Sequence, residues 1–138
     1  MTQIALVVHV LGILLWVGGT ITAGWTAAGL VASGETKALS SVRSALLAIG
    51  APGILLAFAG GLAQLIPNWS TLYAHAGWMH GKLTIGLVLA GLHGMLIGRV
   101  RKAATGEVKT PGVFMGIAVA YAVLALIALG LLMFRPGA

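Results

Sequence analysis

The sequence predicts an all-α integral membrane protein: one domain, a four-transmembrane-helix bundle with both termini outside. Three observations carry this expectation. Of 138 residues, 59% are hydrophobic and 7% are charged, whereas a soluble domain carries ~25% charged residues to clothe its surface; the mean hydropathy is +1.06. Each crossing of the hydrocarbon needs ~20 apolar residues as helix, so the chain has room for about four. Lys37, Arg43, Arg99, Arg101, Lys102 and Lys109 gather at the first and third connections, while the second has no Lys or Arg and the far C-terminus has Arg135 alone. Cytoplasmic loops collect such cations, which places those two loops on the cytoplasmic side of an inner membrane.

The first helix is expected over about residues 4–31. It is too long, and too poor in basic residues at its start, for a cleaved signal peptide. His9 and Trp16 are seven residues apart on it and so share nearly one face, with Gly12 close by. The second helix, about 42–66, contains Pro52, whose missing donor implies a kink. The third, about 78–99, carries Trp78, His80, Lys82 and His93. The fourth, about 111–134, opens on Pro111 and is bounded by Pro136, as Pro67 bounds the second. Between them lie polar connections at 32–41, 67–77 and 100–110.

The acidic residues exclude most. There are two, Glu35 and Glu107, both in connections, and no Asp. Proton- and ion-driven transport through an intramembrane carboxylate, paired-carboxylate catalysis and carboxylate-bound metals are therefore ruled out. The absence of Cys removes disulfides, thiolate metal sites, iron–sulfur clusters and covalently attached haem. The net charge of +6 points to anionic membrane lipid rather than nucleic acid. The 21 Gly include Gly77-x3-Gly81, Gly94-x3-Gly98 and Gly112-x3-Gly116, spacings that permit close helix packing, self-association into a homo-oligomer, or room for a flat cofactor.

The residues able to carry chemistry are His9, His80, His93 and Lys82, with His75 in the second connection. Lys82 stands ~7 Å below the start of the third helix, where it can snorkel to the interface or hold an anionic ligand group. His93 follows eleven residues later, only ~20° away around the helix, with Gly86 and Leu89 on the same stripe. By depth, His9, His80 and Lys82 form one constellation near the outer surface, and His93 is a deeper second site. Histidines without acids or thiols suit haem: a neutral imidazole ligates the iron, small residues admit the ring, and a cation meets a propionate. His9, His80 and His93 are the candidate metal ligands. Copper or zinc on histidine alone gains no charge neutralisation here; Met79, Met95 and Met115 could add thioethers or simply pack.

The run Gly77-Trp78-Met79-His80-Gly81-Lys82-Leu83-Thr84, continuing to His93 and Gly98-Arg99, resembles the signature of HemJ-type protoporphyrinogen IX oxidases. His9-Val10-Leu11-Gly12 with Trp16 and Gly18-Gly19, and Ala51-Pro52-Gly53 with Gly61-Leu62, are similar to that family's first two helices. The resemblance covers roughly residues 5–106. It implies a membrane protein that binds haem b and oxidises protoporphyrinogen IX to protoporphyrin IX, passing electrons to quinone or another respiratory partner. It implies His9 as axial haem ligand and essential residue, Lys82 as the essential third-helix lysine, and Trp16, Trp78, His80 and His93 around the cofactor. The chain departs from the family at Trp25 and Leu30, where Arg and His are expected, at Arg43, one position displaced, and at Lys109-Thr110-Pro111, where an acidic residue is missing. It also lacks the family's extra C-terminal helical sequence. These departures spare the haem-associated positions more than possible substrate positions. They keep open a b-type cytochrome subunit without oxidase activity; a copper-related or structural four-helix protein is the third expectation.

Overall fold

The computed structural model describes residues 3–135. Among them there is no strand, and four helices are long and apolar enough to cross a membrane: α1 (Gln3–Ser33), α2 (Thr36–Tyr73), α3 (Gly77–Ala104) and α4 (Gly112–Phe134). The four expected spans are thus present, but three of them are longer than the apolar runs. The first connection shrinks to Gly34 and Glu35, because Gly34 at φ 76° gives α1 a left-handed C-cap and the chain re-enters helix at once.

Pro67 does not end α2. It sits at the start of a 3-10 turn, Ile66–Asn68, where a missing N–H costs little, and a wide π turn, Trp69–Tyr73, continues the helix. Pro52 stands near the start of the segment Ala51–Leu65, directly after another π turn, Leu46–Gly50. Widening the turn ahead of the ring absorbs the hydrogen bond that proline cannot donate. Residues Val100–Ala104 extend α3 past its apolar run because Val100 and Ala103 are wholly buried. Pro136 lies outside the described residues.

The helices run up and down around a ring in which each packs on the next and α4 closes on α1. The two ends of this ring differ. At the end holding the first and third connections all four helices meet, around Ala27, Leu39, Leu46, Leu96, Val100 and Phe114. At the other end the bundle divides into two helix pairs. The first half of α1 lies flat on the second half of α2, because Gly12, Gly53 and Gly60 carry no side chain where the backbones touch. A Cβ on Gly12 would stand 2.2 Å from the Ala57 nitrogen, and one on Gly60 2.5 Å from the His9 nitrogen. The expected Gly77, Gly94, Gly98, Gly112 and Gly116 positions have open space instead. The second pair is α3 and α4, where Gly81 faces the Leu131 side chain.

Outside this core the surface is hydrocarbon. Leu55 (72% exposed), Leu126 (68%) and Met133 (70%) are typical of the outward faces. An apolar surface of this extent is stable against lipid and not against water.

Candidate functional site

Separation of the two helix pairs leaves a cavity of about 850 Å³. Its size is that of a site for a cofactor-sized molecule. Its walls are mostly aliphatic, from Leu6, Ile13, Leu65, Leu83 and Leu129 among others, with Phe58 beside Trp16. The polar atoms that reach it are few: His9 from α1, Lys82 from α3, Arg135 at the end of α4, and Gln64, Ser70, Thr71, Tyr73 and His75 from the end of α2 and the link that follows it.

His9 is half-buried, and its Nδ1 lies 2.6 Å from the Ala57 carbonyl oxygen. A carbonyl only accepts, so Nδ1 carries the proton and donates. Nε2 is left with its lone pair, the tautomer that binds a metal, and the carbonyl holds the ring in place. Gly61 makes room for the ring: a Cβ there would stand 3.0 Å from His9 Cε1 and Nδ1.

Lys82 is half-buried in the opposite wall, with Gly86 and Leu89 below it on the same stripe, all three lining the cavity. Trp78 lies one turn above Lys82 and is buried. It meets Tyr73 edge-on with ring centroids 6.0 Å apart, and the Arg135 guanidinium sits 5.6 Å from its own ring centre. Among the described residues no acidic side chain is near, since Glu35 and Glu107 are at the far end of the bundle.

The sequence-derived constellation is thus divided. His9, Trp16, Trp78 and Lys82 line one cavity. His80 is exposed and outside its lining, with Nε2 donating to the Ala74 carbonyl at 3.0 Å and Trp69 edge-on at 5.4 Å. Two residues of helix turn ~200°, so His80 and Lys82 cannot share a face even at similar depth. His93 lies beyond the cavity floor, 3% exposed. Among the described residues no three His or acidic side chains gather at one point.

His93 belongs instead to a polar network that the sequence reading did not find. The Thr20 hydroxyl donates to the Trp16 carbonyl at 2.6 Å, so it accepts from His93 Nδ1 at 2.9 Å. Trp16 Nε1 donates to the Tyr121 hydroxyl at 2.9 Å, and Tyr121 donates to the Leu89 carbonyl. This ties α1, α3 and α4 together under the cavity. His93 Nε2 has no hydrogen-bond partner among the described residues. Gly50 is pressed against the imidazole, where a Cβ would lie 2.5 Å from Cε1. The available signal was that Thr20 and Tyr121 are polar residues deep inside otherwise apolar spans. Arg135 was legible only as the one cation at its end of α4.

Fold and cavity together define a class: a small multi-pass membrane protein with a ligand-sized cavity between two helix pairs at one end of the bundle. No family model, curated protein or solved structure matches the chain, so the comparisons add no family to that class.

Proposed function

We propose that the chain is a HemJ-like haem-b redox protein that oxidises protoporphyrinogen IX to protoporphyrin IX and passes the electrons to quinone or another respiratory partner. The observation that carries this reading is His9: an imidazole fixed by the Ala57 carbonyl, its free nitrogen beside an apolar cavity of about 850 Å³. The residues present fit the cofactor. His9 would hold the iron, Trp16 and Trp78 would flank the ring, and Lys82 would pair with a propionate. Haem, when bound, supplies one-electron exchange. The protein's part is to fix the imidazole, to exclude water with aliphatic walls, and to hold a cation where the ligand's carboxylates emerge. His80 and His93 are not needed as ligands in this reading.

In this reading, by the tendency of cytoplasmic loops to collect Lys and Arg, the α1–α2 and α3–α4 connections would face the cytoplasm and the cavity would lie near the outer face of the inner membrane.

One observation favours a second reading, a b-type cytochrome without oxidase activity. At the position where the resembled family carries Arg stands Trp25, which is 66% exposed and lines a shallow groove with Ala28, Gly29, Pro111 and Met115. That end of the bundle has no cation in its groove to hold a porphyrinogen carboxylate.

The test is a reduced-minus-oxidised absorption spectrum of purified protein, followed by protoporphyrinogen turnover. A b-type α-band with about one haem per chain and turnover supports the enzyme. The band without turnover supports the cytochrome. No band from haem-replete cells removes both.

A further inference from the structure

We infer that residues 70–76 form a roof that shuts the cavity from outer water, with His80 as its latch, so that the cavity exchanges its ligand with the bilayer through the seam between α1 and α4. The inference rests on the cavity being the ligand site, but not on iron ligation by His9 or on what Lys82 pairs with.

Residues 70–76 run from the last turn of α2 to the start of α3, and all seven line the cavity. The segment is folded on itself: the Ala74 N–H donates to the Trp69 carbonyl at 2.7 Å, and the Ala76 N–H to the Tyr73 carbonyl at 3.0 Å. It is a formed wall and not a loose loop. Two side chains of α3 hold it, one from within the cavity and one from without. Trp78, which lines the cavity, meets Tyr73 edge-on. His80, which does not, donates from Nε2 to the Ala74 carbonyl and meets Trp69 edge-on. Among the described residues this is the only hydrogen bond that a side chain of α3 gives to the segment. A neutral hydrogen bond of this kind has a small net value, enough to bias the segment toward the closed position by several-fold without fixing it. His80 is thus a positioning residue, acting on the cavity through the segment it holds.

The side of the cavity between α1 and α4 has no such cover. The first half of α1 packs on α2 and hardly on α4. Leu6, Val10 and Leu14 on α1, and Leu129 and Leu132 on α4, line the cavity and are exposed. Exposed aliphatic side chains along both edges of a gap between membrane helices face hydrocarbon. A molecule leaving by that seam passes from aliphatic walls to acyl chains with no change of solvent. One leaving past residues 70–76 has to displace the wall.

The chain has no Cys, so a single Cys at Ala128, which lines the cavity from α4, carries a nitroxide spin label at one defined place. Relaxation of the label is measured on the full chain in nanodiscs with two agents: oxygen, which concentrates in lipid, and a neutral nickel chelate, which stays in water. In the parent, oxygen should reach the label and the chelate should not. His80→Phe keeps a ring beside Trp69 but cannot donate, and should raise chelate access about fivefold, the scale of one hydrogen bond. His80→Gln keeps a donor and should stay near the parent, and oxygen access should be alike in all three. His80 is exposed, so these replacements leave the helices packed. Chelate access in the parent equal to that of an unattached nitroxide in water would overturn the roof. Equal chelate access in the parent and His80→Phe would overturn the latch, and His80→Gln as open as His80→Phe would overturn the hydrogen bond as its basis. A label that oxygen does not reach would overturn the seam. None of these readings needs haem, so a missing haem band would overturn the haem proposal and leave the roof standing.

Discussion

His9 and His93 are the same residue in two opposite settings. Each has Nδ1 committed to a fixed acceptor, the Ala57 carbonyl for His9 and the Thr20 hydroxyl for His93. Each has a glycine against its ring, Gly61 or Gly50. Only the surroundings of Nε2 differ. His9 stands where the helix pairs part and borders open volume; His93 stands where four helices meet and borders backbone. A histidine becomes a ligand through the space beyond its free nitrogen, and that space is made by helix packing tens of residues away.

The largest expected effect comes from closing the contact that creates the open end. Gly12→Val places two methyls and a Cβ into the Ala57 backbone, where nothing can yield except the α1–α2 pair. Overpacking of this kind costs about 3 kcal/mol, and thermal unfolding in detergent should show it. His9 would also lose its carbonyl partner, so haem content should fall with stability. Normal stability in Gly12→Val would mean that the two helices are held by something other than backbone contact.

His9→Ala should separate the two regions. It removes a side chain at a cavity wall and should change stability by less than about 1 kcal/mol, while lowering haem retention roughly tenfold or more. Haem titration of the purified variant checks this. Unchanged retention would leave the cavity without its ligand and return the proposal to its alternatives.

Tyr121→Phe probes the packed end. It leaves Trp16 Nε1 and the Leu89 carbonyl without their partner. A buried group left unpaired costs about 1–3 kcal/mol, so the variant should unfold earlier in a denaturant titration. Its porphyrin affinity should stay near the parent's, because the hydroxyl lies behind the Trp16 ring.

How much of this was legible follows from the range of each cause. The four spans are legible because hydrophobicity is a sum over a window, and the stripe of Lys82, Gly86, Leu89 and His93 because helical angle is fixed by spacing. The separation of His80 from Lys82 was legible too, from their ~200° offset, though depth alone groups them. The continuation of α2 through Pro67 was not, since proline's cost depends on whether a 3-10 turn is available. Nor was the glycine code: of the i,i+4 pairs in α3 and α4 only Gly81 meets a neighbour, the Leu131 side chain, and the rest face open space, while Gly12, Gly53 and Gly60, which have no common motif, make the backbone contact. Cavity position, and hence which histidine is open, depends on that contact.

The smallest effect is the most discriminating. His93→Leu removes the Thr20 partnership but also removes Nε2, a buried acceptor with nothing to bind. A lost hydrogen bond of about 1 kcal/mol is set against relief of a similar desolvation cost, so net stability should shift by no more than about 1 kcal/mol. Haem content, measured on the same sample as His9→Ala, should equal the parent's. If His93→Leu instead loses haem while remaining folded, the packed end supplies a ligand after all. The two helix pairs would then have to part further down the bundle than Leu89, opening His93 to the cavity it now underlies.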